Sequence, residues 1–386
     1  MMNQTLLRTA EHVSEGHPDK FCDQVADRIL DEVLSLAHEL GGIKAVRRTR
    51  TAIECLVKDN LLVVSGEIKI PDDIAVMRAE LRIAALAREV WKKVGYGDDP
   101  EKLTVINHLR PQSPDIGEGD SRAKHGVNEG SAGDQGIMVG YATDETPALM
   151  PTEWMIAHDL CWELRQLRLD KKLEWLRSDC KSQVTLAPNG QVSSVVIAAQ
   201  HAEEVDNVEI QREILDRVVI PILDKYNCTV ANSQEQVKIN GTGRFVIGGP
   251  AGDAGVVGRK IVVDAYGPRV SVGGGAYSGK DPTKVDRSAA YMARHIAKTI
   301  VANKIGKART CEVVLAYGIG QFEPEMVTAI TDIGNDLSDW VRANFKLTPD
   351  DIRQHLRLWA PNGWSYLDTA AYGHYGREEF PWERVS

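Results

Sequence analysis

The chain has 386 residues, of which 43% are hydrophobic, so it is long enough to bury the cores of two or three globular domains. It carries 46 Lys and Arg against 55 Asp and Glu, and the net charge of -9 argues against a general affinity for nucleic acid or for an anionic membrane surface. A local group of basic residues in such a chain therefore indicates a specific anion site.

Apolar periodicity and turn signals predict the elements of the first third. These are a helix over residues 18–40, strands over 45–57 and 61–70 joined at Asp59-Asn60, a helix over 72–94 and a strand over 103–107. Residues 110–136 follow, rich in glycine and charge and nearly empty of large apolar side chains. Loops of this length are functional lids or disordered linkers, and we favour a lid.

A similar order of elements returns beyond this loop. We predict a helix over 151–169, strands over 181–186 and 192–199 turned at Pro188-Asn189-Gly190, a helix over 204–223 and a strand over 237–239. The last third is predicted to hold strands over 260–264 and 311–317 and helices over 282–302, 324–345 and 349–358, the last capped by Thr348. This pattern predicts an α+β protein of three similar-sized units.

The six cysteines are widely spaced and include no C-x-x-C pair, which gives no support to a zinc or thioredoxin-like site. Reduced thiols in the core are expected, as in a reducing cytosol. The first residues, MMNQTLLRTAEHVSEG, lack the apolar region of a signal peptide, and no run approaches the length of a membrane span. We therefore expect a soluble cytoplasmic protein with no membrane or nucleic-acid partner.

The stretch GGGAYSGKD, residues 273–281, resembles a phosphate-binding P-loop except that Asp281 stands where a hydroxyl would hold magnesium. Asp281-Pro282 also fits a helix start, so we expect a helix N-terminus and glycine N–H groups to face a phosphate beside Lys280 and Lys284. The alternative is a glycine-rich turn with two solvated lysines.

A second glycine-rich stretch, residues 241–260, adds cations beside accessible backbone. Its glycines do not form a convincing dinucleotide-binding fingerprint between a strand and a helix. Together the two stretches concentrate positive charge in an otherwise acidic chain, which favours a polyphosphate site. The cations are Arg244, Arg259, Lys260, Lys280, Lys284 and Arg287.

The motif SEGHPDK, residues 14–20, places His17 and Asp19 at the start of the first predicted helix. A carboxylate suits magnesium and an imidazole suits a developing oxyanion. For the motif alone, a capping role of Ser14 or Asp19 is the favoured alternative. Ordinary exposed or turn positions are the simpler interpretation of four further residues, Glu54, Glu67, Asp134 and Lys181.

These motifs, in this order, resemble those of methionine adenosyltransferases, also called S-adenosylmethionine synthetases. The resemblance runs from about Thr9 to Glu383 and rests on SEGHPDK, SAGDQG with GYATDET, DCKSQV, GTGRFVIGGPAGDAGVVGRKIVVDAYG, GGGAYSGKDPTKVDRSAAY and AAYGHYGREEFPWE. It implies three βαββαβ-type domains related by pseudo-threefold symmetry, with mixed or antiparallel sheets and helices on one face. The implied domains cover residues 1–115, 130–247 and 248–386, with a mobile gate loop over 114–129.

The resemblance also implies the reaction. The sulfur of methionine attacks the 5′ carbon of ATP and expels the whole triphosphate, which is then hydrolysed to diphosphate and phosphate. A broad cationic basin suits such a leaving group better than a P-loop does. Two Mg²⁺ ions and one K⁺ ion in each site are implied as well, and so is a homodimer or homotetramer with active sites between subunits.

Individual roles follow from the resemblance residue by residue. It implies catalytic roles for His17, Lys181, Arg259 and Lys280. It implies ATP contacts by His17, Asp179, Lys181, Arg244, Phe245, Asp253, Arg259, Lys260, Ala276 and Lys280. Methionine is implied to contact Glu67, Gln112, Asp134, Asp253 and Lys284. Asp19 and Asp286 are the implied ligands of Mg²⁺, and Glu54 is that of K⁺.

Four positions depart from the family pattern without removing an implied ligand: Gly241 replaces a usual proline, Val272 a frequent histidine, and Ser178 and Cys180 commoner residues around Asp179. Two rival interpretations stay open at this point. One is a phosphotransferase that uses the glycine and lysine cluster on ATP, and the other is a non-catalytic partner subunit. The second interpretation is disfavoured because a non-catalytic chain does not need the following set of residues: His17, Asp19, Lys181, Lys280, Lys284 and Asp286.

Overall fold

The structure, a computed structural model, describes residues 7–69, 82–97, 99–111 and 131–385. Its strands are β1 Arg8–Val13, β2 Arg50–Lys58, β3 Leu61–Lys69, β4 Thr104–Arg110, β5 Gly136–Thr143, β6 Leu176–Leu186, β7 Val192–His201, β8 Val237–Ile239, β9 Gly255–Val256, β10 Thr310–Tyr317 and β11 Met326–Thr331. Its α-helices are α1 Pro18–Arg48, α2 Ile83–Val94, α3 Thr152–Leu169, α4 Asn207–Ile214, α5 Ile220–Lys225, α6 Ser233–Gln236, α7 Gly249–Gly252, α8 Ile261–Asp264, α9 Val285–Ala302, α10 Ser338–Asn344, α11 Pro349–His355 and α12 Tyr366–Thr369.

The strands of the described residues form three sheets, and each sheet includes one strand that comes from another part of the chain than its neighbours. The strand orders are β1-β6-β7-β8, β11-β10-β5 and β4-β3-β2-β9. By the implied domain ranges, β1 of residues 1–115 joins the sheet of residues 130–247, β5 of residues 130–247 joins the sheet of residues 248–386, and β9 of residues 248–386 joins the sheet of residues 1–115. This cyclic exchange links the three units and brings distant segments of the chain together.

The sheets are mixed or antiparallel, which confirms the predicted α+β class. Most neighbouring strands are antiparallel, whereas β3 with β4 and β7 with β8 run parallel. A separate apolar core lies under each sheet: α1 and α2 cover the first, α3 to α5 the second, and α9 the third. Helix α9 is buried nearly all round, as expected for a helix at the centre of the molecule.

The first helix forms as its sequence predicts. Apolar residues recur at three-to-four spacing, and Phe21, Val25 and Ile29 are fully buried against β2 and β3. Pro18 occupies the first helical position, where its missing N–H costs nothing. The helix continues to Arg48 through a kink at Gly41 and Gly42, so that residues 45–48 are helical rather than the start of the predicted strand.

Three predictions in the last third are wrong. The predicted strand over 260–264 is the short helix α8, and the helix predicted over 324–345 is strand β11 followed by α10. The helix predicted from 282 begins only at Val285, because the Asp281 carboxylate accepts hydrogen bonds from the backbone N–H and hydroxyl of Thr283 and so closes a turn before the helix. The cap at Thr348 is confirmed, since its side chain accepts from the N–H of Asp351.

Several predictions fall outside the described residues. They are the start of the second predicted helix, Gln112 and the gate loop over 114–129. Strands β1, β5 and β9 were not among the predicted elements. Each of them pairs with a distant segment of sequence, so that no local hairpin signal marks it.

Candidate active site

The N-terminus of α1 places His17 and Asp19 at the junction of the first and last thirds of the chain. His17 is the N-cap: its Nδ1 accepts a hydrogen bond from the N–H of Asp19 at 3.1 Å. The capping role expected for Ser14 or Asp19 therefore belongs to His17. Burial lowers the pKa of His17 to about 4, with Lys260 the next largest cause, so the imidazole is neutral at pH 7.

Asp19 is buried and reaches across to the last third of the chain. Its Oδ1 accepts from the N–H of Val256 at 2.9 Å, and its Oδ2 lies 2.7 Å from Nζ of Lys260. Burial alone would raise the pKa of Asp19, but the hydrogen bonds from Lys260 and Val256 outweigh it and lower that pKa. Arg259 is more exposed, with Nη1 at 3.7 Å from Oδ1 of Asp19.

Lys181 and Asp179 approach the same region from the central sheet. Nζ of Lys181 lies 2.6 Å from Oε2 of Glu11, a pair formed because β6 runs antiparallel to β1. The positive charge of Lys181 also helps to lower the pKa of His17. The buried carboxylate of Asp179 accepts from the N–H of Gly249 at 2.7 Å, and burial raises its pKa to about 6.

Lys280, Asp286 and Glu54 form a second group of charges. Nζ of Lys280 lies 2.5 Å from Oδ2 of Asp286 at the start of α9. The backbone of Lys280 bridges to Ala52 on β2, the strand that carries Glu54. Burial raises the pKa of Glu54, and the charge of Lys280 offsets part of that effect. These contacts place the strand of Glu54, from the first third of the chain, beside Lys280 and Asp286 from the last third.

The glycines of residues 273–281 let this segment pack closely against Asp286 and β2, which its resemblance to a P-loop did not predict. A Cβ on Gly275 would lie 2.1 Å from Cγ of Asp286, and one on Gly279 would lie 2.2 Å from the carbonyl oxygen of Ile53. The N–H of Gly279 is donated to Oδ1 of Asp27. The expectation that this N–H faces a phosphate at a helix N-terminus is therefore wrong.

The remaining predicted site residues have varied surroundings. Arg244 is exposed and pairs with Glu203 at 2.7 Å, while the backbone of Phe245 is bound by His201. Asp253 is exposed, but its charge helps to raise the pKa of Asp179. Four more occupy separate positions: Glu67 on β3 opposite Ala52, Asp134 in an exposed turn before β5, Ala276 against Gly258, and Lys284 at the N-cap of α9.

Asp19 belongs to a row of four acidic residues on α1, of which only Asp19 was predicted to be a site residue. Asp19, Asp23, Asp27 and Asp31 recur every four residues along α1, so they share one face of the helix. Each accepts a backbone N–H from the last third of the chain; the donors are Val256, Gly258, Gly279, and both Tyr366 and Leu367. The four-residue spacing of these aspartates is visible in the sequence, but it does not indicate which backbone segments they bind.

Arg287 was grouped with the cations of the anion site, and the structure corrects this. Its guanidinium is fully buried and binds both carboxylate oxygens of Asp27. It therefore does not belong to the accessible positive charge around Lys260 and Lys280.

Among the residues that the structure describes, no group of three His, Cys, Asp or Glu side chains is arranged to hold a metal by itself. In the same part of the chain, no helix is both long enough and apolar enough to cross a membrane.

Comparisons with known proteins cover nearly the whole chain. Family models match in three consecutive parts: "S-adenosylmethionine synthetase, N-terminal domain" over residues 5–114, "central domain" over 129–245 and "C-terminal domain" over 247–384. A protein named S-adenosylmethionine synthase from Sorangium cellulosum is 44% identical over 392 residues, covering 98% of this chain and 87% of that one. One with the same name from Staphylococcus epidermidis is 42% identical over 404 residues, covering 98% and 95%.

Proposed function

Because the chain belongs to the S-adenosylmethionine synthetase family and is a methionine adenosyltransferase, we propose that it transfers the intact adenosyl group by direct displacement. A sulfur lone pair of methionine forms the bond to the 5′ carbon of ATP, and the carbon–oxygen bond breaks with its electron pair moving to the triphosphate. The sulfur becomes a sulfonium. Water then divides the triphosphate into diphosphate and phosphate.

One observation carries this proposal: lysines from two glycine-rich stretches converge on the residues at the start of α1 and α9. Lys260 contacts Asp19 beside His17, and Lys280 contacts Asp286. A leaving triphosphate develops negative charge along its whole length, and positive groups positioned in advance stabilise such charge without reorganising. Arg259 and Lys181 add charge at the edges of the same region.

His17 is suited to donate a hydrogen bond to the leaving oxygen. Since Nδ1 accepts from the Asp19 N–H and the ring is neutral, the proton resides on Nε2. The cap thus selects the tautomer that presents a donor. Sulfur is a good nucleophile without deprotonation, so alignment and charge stabilisation supply the catalysis and no general base is required.

The carboxylates fit the proposed metals. Magnesium is usually bound by one or two protein carboxylates together with substrate phosphates, and Asp19 and Asp286 each offer one carboxylate beside a lysine. Burial raises the pKa of Glu54, an environment in which a cation such as K⁺ is favourable. We propose two Mg²⁺ ions and one K⁺ ion, which when bound supply further positive charge to the phosphates.

Substrate positions are proposed from the same residues. Asp179, Arg244, Phe245, Asp253 and Ala276 would surround the nucleotide, with Asp179 ordering the Gly249 backbone rather than touching a phosphate. Glu67, Gln112, Asp134, Asp253 and Lys284 would bind methionine, whose ammonium and carboxylate need groups of opposite charge.

Self-association is proposed as well. Leu56 lies on a solvent-accessible face of β2 that it shares with Glu54, whose carboxylate is only partly desolvated by its surroundings, and Ile106 is exposed on β4 of the same sheet. Exposed apolar side chains on a flat sheet favour contact with a second copy, which would bring a charged site residue into the interface. We propose a homodimer or homotetramer in the cytoplasm, a compartment compatible with the six unpaired buried cysteines. Sedimentation of the purified protein tests the assembly.

The test of the reaction is direct. Purified protein is incubated with ATP, methionine, Mg²⁺ and K⁺, and products are separated by mass. The proposal predicts a sulfonium product with diphosphate and phosphate, dependent on methionine and stimulated by K⁺. Labelled ADP would instead indicate a phosphotransferase, and no turnover would indicate a non-catalytic subunit.

A further inference from the structure

A fully buried ion pair joins α1 to α9. Nη1 and Nη2 of Arg287 lie 2.7 Å and 2.8 Å from the two carboxylate oxygens of Asp27, and neither side chain is exposed to solvent. Two parallel bonds of this kind fix the orientation as well as the distance of the partners.

The same two side chains also hold the backbone next to Lys280. Oδ1 of Asp27 accepts from the N–H of Gly279 at 2.9 Å, and Nη1 of Arg287 donates to the carbonyl oxygen of Lys280 at 3.0 Å. Gly279 has a positive φ of 82°, so this backbone follows a path that the pair holds from two sides.

Arg287 directly follows Asp286 in the first turn of α9. Anchoring its guanidinium to Asp27 therefore also fixes the backbone from which Asp286 projects. Lys280 and Asp286 are in contact through their side chains at 2.5 Å. The buried pair thus connects the main chains of both residues to one rigid element, α1.

A second buried ion pair on α9, formed by Arg294 and Glu383, provides a comparison without a contact to the proposed site. Arg294 binds Glu383 through Nε and Nη2 at 2.8 Å and 2.9 Å, again with no exposure. Its other bonds go to the backbone carbonyls of Tyr141, Ala148 and Leu149, none of which belongs to the proposed site. Arg287 and Arg294 lie on the same helix and are equally buried, and each binds a carboxylate through two nitrogens; Glu383 differs from Asp27 in that it also pairs with Lys298 at 2.8 Å. The two arginines differ in whether they hold the backbone of a proposed site residue.

We propose that Asp27 and Arg287 are positioning residues of the active site, which set the relative placement of Lys280 and Asp286 so that ammonium and carboxylate meet the leaving triphosphate together. This inference rests on the proposed function. It assigns no contact with substrate to either residue; both act by holding the Lys280 ammonium against the Asp286 carboxylate, an effect that requires the Lys280 side chain.

The test compares Arg287→Lys with Arg294→Lys. Lysine keeps the charge but cannot form two parallel bonds and a third to a carbonyl. Both variants are expected to lower the melting temperature. At a temperature where circular dichroism shows both to be folded, only Arg287→Lys should lower kcat and weaken the binding of inorganic tripolyphosphate with Mg²⁺, each by about tenfold or more.

Non-additivity supplies a second readout. If Arg287 acts through Lys280, adding Arg287→Lys to a Lys280→Ala variant should reduce kcat little further, whereas independent effects multiply. Should Arg287→Lys not fold, the milder Thr369→Val removes one partner of the guanidinium, an Nη2 bond of 3.0 Å to Oγ1, and should show the same dependence on Lys280.

The outcomes separate this inference from the reaction itself. Equal losses of kcat and tripolyphosphate affinity in the two arginine variants, or multiplicative effects with Lys280→Ala, would overturn the positioning role. A wild-type protein that forms no sulfonium product and binds no tripolyphosphate would overturn the proposed function instead.

Discussion

Lys280 and Asp286 are six residues apart in sequence and form a 2.5 Å ion pair between the end of a glycine-rich segment and the first turn of α9. Lys260 and Asp19 form a comparable pair of 2.7 Å across the first and last thirds of the chain. Each proposed metal-binding carboxylate therefore lies beside a proposed phosphate-binding lysine. Under the proposed function, a Mg²⁺-bound triphosphate would engage both members of each pair, with the metal ion at the carboxylate and a phosphate at the ammonium.

Removing the ammonium of Lys280 tests the cationic basin. We expect Lys280→Ala to lower kcat by about two orders of magnitude or more, because a desolvated contact with the leaving group is lost. Steady-state assays of S-adenosylmethionine formation measure the effect. Lys172→Ala is the control, since the side chain of that lysine is exposed and its ammonium pairs with Asp170 at the surface. Near-normal turnover of Lys280→Ala would place the phosphate contacts elsewhere.

Neutralising Asp286 tests the proposed metal ligand. In Asp286→Asn the side chain keeps its shape and loses its charge, so we expect the Mg²⁺ concentration for half-maximal activity to rise by about tenfold or more. A Mg²⁺ titration at saturating ATP and methionine measures it. Asp170→Asn, at an exposed position, should leave the titration unchanged. An unaltered Mg²⁺ requirement in Asp286→Asn would remove this residue from the metal site.

Gly279 is expected to tolerate no side chain. Its φ of 82° lies in the left-handed region, and a Cβ would lie 2.2 Å from the carbonyl oxygen of Ile53. Gly279→Ala should therefore destabilise the protein by about 2 to 5 kcal/mol, combining backbone strain with overpacking. Gly241→Ala is the matched control, because its Cβ would meet nothing within 4 Å. Denaturant unfolding compares the two, and equal stability would contradict the prediction.

Asp31 gives a prediction for pH. Burial raises its pKa to about 6, although the N–H groups of Leu367 and Tyr366 partly oppose this. The folded protein therefore binds a proton at Asp31 at a higher pH than the unfolded chain does. The stabilisation that this proton gives is fully present below the ordinary pKa of an aspartate and is lost as the pH rises through about 6. When the pH is lowered from 7 to 4, the free energy of unfolding of the wild type should rise by up to about 3 kcal/mol relative to that of Asp31→Asn.

Melting temperatures of wild type and Asp31→Asn across this range measure that gain. Asp339→Asn, at an exposed position, serves as the control for the loss of a carboxylate. A constant difference for Asp31→Asn would show that the carboxyl titrates alike in the folded and unfolded chains.

Local elements were the most predictable part of the fold. Helix α1 and the Thr348 cap are confirmed because apolar spacing and capping chemistry act within a few residues. The segments 260–264 and 324–345 were predicted wrongly, since short apolar runs fit a helix or a strand equally well and tertiary packing decides between them.

The sequence alone determined the family, the chemistry of the residues available and the concentration of lysine and arginine in two glycine-rich stretches. Only the tertiary structure decided how these residues pair. It showed that Arg287 is buried against Asp27, that His17 caps α1 as a neutral imidazole, and that the N–H of Gly279 is already bound. The pairing depends on strands and loops that are far apart in the sequence and meet only in the folded chain. Burial also changes the energy of each charge according to its neighbours. The spacing of residues in the sequence contains neither kind of information.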